Sequence, residues 1–101
     1  MCLAHEYEAE PASFDVVSSL ECFEHDPHAE QSVAKMTEVL KPGGLCFLTC
    51  ATGDRQEHGT RRTGKSYGPD PAFYRNVPLS DMWLWLLSGK FQSNQLQKNL
   101  L

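Results

Sequence analysis

Two apolar runs joined by one amphipathic stretch constrain this chain more than any other feature. The first, 14-FDVVSSL-20, is rich in β-branched and aromatic residues and follows the turn formers Pro11 and Ser13, so it reads as a strand. The second, 45-LCFLTCA-51, is a similar apolar run and reads the same way. Between them Ala29, Val33, Met36 and Leu40 recur at spacings of four, three and four, which gathers them on one face of a helix. Asp26 is placed as N-cap with Pro27 at N1, where its missing N–H costs nothing. Glu30 suits the positive end of the helix dipole, Lys35 and Lys41 lie towards the other end, and Pro42-Gly43-Gly44 stops the helix. Strand, helix and strand in that order within 14–51 make a βαβ unit. Its strands run parallel, with a right-handed crossover. Because the first run is mostly apolar rather than alternating, burial on both faces is expected, as parallel sheets require.

The rest of the chain adds less. At 101 residues it is at most one domain. Residues 52–78 carry many Gly, Pro, Arg and Thr without periodicity and read as a long loop. Ser80 and Asp81 mark the start of a helix within 79–89 and Gly89 its stop. The domain is thus expected over 1–90, with a weakly specified tail at 91–101. A net charge of -4 offers no basic surface for a nucleic-acid backbone, so nucleic-acid binding is disfavoured. MCLAHEYEAE lacks the positive and apolar regions of a secretory signal. The longest apolar run, 82-MWLWLL-87, is far short of the roughly 20 residues a membrane span needs. Cys2, Cys22, Cys46 and Cys50 therefore read as reduced thiols of a cytoplasmic protein.

The stretch 59-GTRRTGKS-66 fits G-x-x-x-x-G-K-S/T, the pattern of the nucleotide-binding phosphate loop. That loop requires a buried strand leading straight into it and a helix starting at its Lys-Ser. Here the polar residues TGDRQEH intervene after the strand, and the YGPDP that follows Ser66 forbids the helix. A charged loop that happens to fit the pattern is the better reading.

Ligands of open parallel α/β sheets bind beyond the carboxyl ends of the strands. That rule brings 19-SLECFEH-25 and 52-TGDRQEHGTRR-62 together. Glu21, Glu24 and His25 supply two carboxylates and an imidazole, enough for hydrogen bonds to a ligand or for general base catalysis. A solvated acidic helix start is the plainer reading of the same residues. On the loop, Arg61 and Arg62, with His58 nearby, are candidates to hold a substrate carboxylate or phosphate, against the plainer reading of a solvated charged loop. Cys22, His25 and His28 are spaced C-x-x-H-x-x-H, but Cys46 and Cys50 fall on a strand, and no metal site is expected.

FDVVSSLECFEHDPH followed by AKMTEVLKPGGLCFLT resembles the second half of a class I S-adenosylmethionine-dependent methyltransferase of the type 11 group. In that family a strand beginning F-D-V-V runs into E-x-x-E-H, and a helix ends in L-K-P-G-G before the next strand. The resemblance covers about residues 5–52, with further likeness in 53-GDRQEHGTRRTG-64 and 74-YRNVPLSDMW-83. It implies a partial Rossmann-like α/β fold and S-adenosyl-L-methionine as cofactor. Leu20 would then contact the cofactor, Ser19, Glu21 and His25 would line the same pocket, and Glu6 would lie near the adenine. The reaction implied is in-line transfer of a methyl group to an unknown acceptor, aligned by the protein. His25 or Glu24 would take the acceptor's proton.

The family's G-x-G-x-G loop has no counterpart here, since no G-x-G triplet occurs in the sequence. Nor is there a counterpart of the acidic residue that holds the ribose. The isolated chain is expected to bind the cofactor poorly and to be inactive. A two-stranded parallel sheet also leaves apolar surface open, which the 82–87 segment covers only in part. The alternative is therefore a non-catalytic interaction module, in which another copy or a partner chain covers the exposed sheet edge. Specificity for the acceptor would lie in the 52–78 loop and in the missing half.

Overall fold

The computed structural model describes residues 4–64, 70 and 72–89. Two strands, β1 (Phe14–Leu20) and β2 (Leu40–Thr49), and two helices, α1 (Ala29–Val39) and α2 (Leu79–Ser88), carry the fold. Single 3₁₀ turns stand at Ala4–Glu6, Phe23–His25 and Arg61–Thr63. The strands are parallel, paired from Val16↔Leu45 to Leu20↔Thr49, and α1 is the crossover between them. The fold is α/β, consistent with part of a Rossmann-like methyltransferase sheet. The tail 91–101 lies outside the described residues.

Helix α1 starts later and ends earlier than its capping residues imply. Asp26 is not the N-cap: its backbone is extended, and the helix begins at Ala29. The reason is the turn before it, which buries Phe23, Glu24 and His25 and uses the chain up to Asp26. The Asp26 carboxylate still serves the helix start, accepting from the His28 N–H at 2.7 Å and the Ser32 hydroxyl at 2.5 Å. At the other end Leu40 is already extended and pairs with Phe14, five residues before the expected strand start. Pro42 contributes to this, since it has no N–H to donate to the Glu38 carbonyl and disfavours helical angles at Lys41, so the helix cannot continue past Val39. Opposite the single residue Asp15, β2 then runs through Lys41–Gly44, an irregularity of the β-bulge kind. Gly43 takes φ 78°, and a Cβ on Gly44 would sit 2.7 Å from Leu40 Cδ1 and 2.9 Å from the Asp15 carbonyl.

The core lies on one side of the sheet only. Phe23, Ala29, Val33, Met36, Val77 and Met82 form it, with Val17, Cys46, Leu48, Cys50, Trp85 and Leu86 packed around. The other side of the same strands shows Phe14, Val16, Leu20, Leu45 and Phe47 to solvent. Burial of β1 on both faces, expected from its apolar run, is therefore wrong: α1 and α2 both stack on one side. α2 packs on α1 so closely that a Cβ on Gly89 would meet Thr37 Oγ1 at 2.8 Å.

The described residues between β2 and α2 form a loop closed at its base. The Val77 N–H donates to the Ala51 carbonyl at 2.8 Å and the Arg75 N–H to the Glu24 carbonyl at 2.9 Å. Within it Thr60 and Thr63 cap the Arg61–Thr63 turn reciprocally, followed by Gly64 at φ 91°. This turn stands well beyond the end of β2, so no strand feeds the 59–66 motif; Lys65 and Ser66 lie outside the described residues. Among the described residues no helix is long and apolar enough to cross a membrane.

Candidate functional site

The parallel arrangement carries both strand ends to one rim. Leu20 pairs with Thr49, and the Glu21 N–H donates to the Thr49 carbonyl at 2.8 Å and to its hydroxyl at 3.1 Å. Glu21 turns the chain with φ 50°, a left-handed conformation unusual for a side-chain-bearing residue. Its carboxylate reaches the long loop and accepts from Arg55 Nη1 at 2.6 Å. The two segments expected to meet do meet.

Glu24 anchors the rim. It is fully buried, and its Oε2 accepts from the Ala51 N–H at 2.8 Å, tying the turn after β1 to the chain leaving β2. The same oxygen lies 3.6 Å from His58 Nε2. Glu24 Oε1 and His25 Nδ1 are buried without a hydrogen-bond partner. Buried polar atoms are nearly always paired, so these two, on adjacent residues, are candidates to meet a ligand; His5 Nδ1 in the N-terminal turn is likewise unpartnered.

The His25 ring belongs to an aromatic cluster. His25, His58 and Tyr74 meet edge to face, with centroids 5.0 Å apart for His25 and His58, 5.6 Å for His25 and Tyr74, and 5.2 Å for His58 and Tyr74. The Tyr74 hydroxyl lies 2.7 Å from Asn76 Oδ1 and 3.1 Å from the Gln56 carbonyl. Asn76 in turn donates to the carbonyls of Gly53 and Arg55. Burial holds the His25 imidazole below the usual histidine range, against the opposing pull of Glu24. It also raises the Tyr74 phenol, helped by Glu24, and pushes the Cys50 thiol up to about 11. Donor atoms of Glu24, His25 and His58 lie within 4.8 Å of one another, close enough for one divalent ion to bridge.

Of the residues singled out in the sequence, Glu24, His25 and His58 come together, and Glu21 lies beside them through Arg55. Ser19 is half-buried on the helix side of β1 and Leu20 exposed on the other. Glu6 is exposed in the N-terminal turn, 3.7 Å from His5. Arg61 is exposed, and Arg62 is taken by Glu57, at 2.7 and 3.1 Å, and by the Ala72 carbonyl at 2.8 Å. Tyr74 and Asn76 were not legible as site residues. They stand some fifty residues beyond His25, and only the closed base of the loop returns them to it.

Residues 2–48 match the family model described as a methyltransferase domain. The chain is 46% identical over 50 residues to a ubiquinone biosynthesis O-methyltransferase of Idiomarina loihiensis, covering 48% of this chain and 21% of that protein. It is 44% identical over 39 residues to the enzyme of that name from Azoarcus sp., covering 39% and 17%. With the one from Saccharophagus degradans it shares 43% over 47 residues, covering 46% and 20%. Residues 2–48, just under half of the chain, are thus similar to part of a class I S-adenosylmethionine-dependent methyltransferase. The chain spans about a fifth of the length of the curated relatives it matches. No solved structure matches. Glu24 and His25 fall inside the matched methyltransferase stretch, whereas His58 and Tyr74 lie beyond it. Two of the three rings therefore come from the loop.

Proposed function

We propose that this methyltransferase segment serves S-adenosylmethionine-dependent methyl transfer to an acceptor hydroxyl. The observation that carries the reading is the pair of unpartnered buried atoms, Glu24 Oε1 and His25 Nδ1, at the carboxyl end of parallel strands. The relatives' printed name, O-methyltransferase, supports an oxygen acceptor. The donor set suits the cofactor, because Glu21 and Glu24 favour a cationic sulfonium and exposed Leu20 offers an apolar surface to its uncharged part. Bound there, S-adenosylmethionine supplies an electrophilic methyl group.

This chain's residues do the rest. Ser19, Leu20 and Glu21 hold the cofactor, with Glu6 on the adenine side. His25, kept neutral by burial, accepts the acceptor's proton at Nδ1, and Glu24 steadies the imidazolium that results. His58, with Arg61, holds the acceptor from the loop side, while Arg62 braces the loop through Glu57 and the Ala72 carbonyl. Tyr74 helps to keep water out.

Calorimetric titration of the chain with S-adenosylhomocysteine tests this. Weak but saturable binding is expected, lost in Leu20→Asp and kept in Lys35→Ala, whose side chain pairs with Glu38 on α1. A flat trace with folded protein removes the cofactor from the proposal.

A further inference from the structure

His58 stands with its Nδ1 3.4 Å from the Gln56 carbonyl and its Nε2 3.6 Å from Glu24 Oε2. A carbonyl only accepts, so the contact with Gln56 puts the ring proton on Nδ1 and leaves Nε2 with a free lone pair. Nε2 and the Glu24 oxygen are then two acceptors, which cannot hydrogen-bond each other. Two more polar atoms without partners stand beside them: Glu24 Oε1, on a residue 0% exposed, and His25 Nδ1, on one 5% exposed. Lone pairs gathered in a buried place with no proton between them repel, and a cation among them turns that repulsion into attraction.

We propose that Glu24, His25 and His58 form a binding site for a divalent transition ion of the zinc class, with the Glu24 carboxylate, the His25 imidazole and His58 Nε2 as ligands. The donor set selects the ion. Two imidazole nitrogens and one carboxylate oxygen suit zinc or cobalt, whereas magnesium and calcium take oxygen almost throughout. Outer partners that orient the ligands are in place: the Ala51 N–H holds the Glu24 carboxylate at 2.8 Å, and the Gln56 carbonyl holds the His58 ring. The His58 side chain is 34% exposed, which gives an ion a way in from solvent. Cys22 and His28, which share a spacing pattern with His25, are not part of the cluster among the described residues; the loop supplies the third ligand instead. An imidazole that holds an ion at Nδ1 cannot take the acceptor's proton there, so the loaded site does not transfer methyl groups. That consequence rests on the methyl-transfer reading, whereas the ion site itself does not.

Calorimetric titration of the metal-stripped whole chain with zinc chloride tests the proposal, with cobalt as the spectroscopic probe and folding checked by circular dichroism. One ion per chain is expected, with no comparable binding of magnesium, and a cobalt form that shows visible d–d bands without thiolate charge transfer. His58→Ala should weaken binding by about a hundredfold, because losing even an outer partner of a metal ligand costs roughly ten- to a hundredfold. Cys22→Ser should leave it unchanged. Should His58→Ala fail to fold, Glu24→Gln reads the same site while keeping an oxygen for the Ala51 N–H. A chain that binds no zinc overturns the proposal, as does zinc binding that neither variant weakens. Magnesium bound as tightly as zinc, or a cobalt spectrum dominated by thiolate charge transfer, also overturns it. No S-adenosylhomocysteine enters these titrations, so the methyl-transfer reading stands or falls separately.

Discussion

The two faces of the sheet are made from the same two strands and nearly the same kinds of residue, yet one is core and the other is surface. On the helix side Val17, Cys46 and Leu48 pack against Phe23, Val33 and Met36. One residue along, Val16, Leu45 and Phe47 point to solvent. Strand residues therefore do not determine their own burial here. It depends on which side the crossover helix and α2 take, and both take the same one. The lesson concerns energy as well as geometry. Apolar side chains contribute to monomer stability only where burial occurs, at about 25 cal/mol per Å² removed from water.

Replacing one aromatic residue on each side breaks or upholds this contrast most directly. Phe23 is 2% exposed in the core, and Phe23→Ala is expected to cost about 3–5 kcal/mol, enough to unfold much of so small a domain. Phe47 is 55% exposed, and Phe47→Ser is expected to change monomer stability by no more than about 0.5 kcal/mol. Urea unfolding at a concentration where the chain is monomeric measures both. Equal losses would mean that the bare face is covered within the monomer.

A smaller effect is expected where β2 enters the sheet. A methyl group at residue 44 would press on Leu40 Cδ1 and on the carbonyls of Lys41 and Asp15, two of them backbone atoms that cannot turn aside. Gly44→Ala should therefore cost about 1–3 kcal/mol by overpacking. Gly43 has open space around it but φ 78°, so Gly43→Ala costs through backbone strain instead. The same unfolding curves separate the two sites, because only the Gly44 loss should shrink when Leu40 is trimmed to Ala.

What could be read in advance follows the range of the forces involved. The 3.6-residue period of Ala29, Val33 and Met36 and the helix-breaking Pro42 act locally, so the parallel βαβ order and its shared rim follow from sequence alone. Asp26 misled because its side chain caps from two residues upstream, a choice fixed by the burial of Phe23 and Glu24. The pairing of Glu24 with the Ala51 N–H and with His58 could not be read from spacing, because each partner stands far along the chain. That a two-stranded sheet leaves apolar surface open is legible in advance, but which face stays bare is not, for a related reason. Apolar runs state that cover is wanted, not where it comes from.

Cysteine chemistry sharpens the comparison further. Cys50 lies against the core with its thiol pushed up to about 11 by burial and by Glu24, whereas Cys22 is exposed. The folded value lies above the unfolded one, so folding favours the thiol. Cys50's contribution to stability is whole below the unfolded pKa and lost as pH rises through the folded one. At pH 9 Cys50 is then chiefly the thiol. Mass-mapped alkylation with iodoacetamide should label Cys22 before Cys50, and Cys50 at least ten times more slowly than in urea. Equal rates for Cys50 with and without urea would place it outside the packed side.

The smallest change is expected at Arg62, on the loop and away from both faces. Its guanidinium holds Glu57 through two bonds, at 2.7 and 3.1 Å, and the Glu57 carboxyl is held below its usual range chiefly by that hydrogen bond. Both groups stand in solvent, where ion pairs are screened and contribute little. Since Glu57's folded pKa is depressed, its contribution is present above the unfolded value and fades as pH falls through the folded one. Arg62→Ala should therefore lower the thermal midpoint least of all these variants, with the difference vanishing in high salt and in acid. A loss that persists in high salt would move the cause from charge to the bond between Arg62 and the Ala72 carbonyl, which pins the loop whatever the ionic strength.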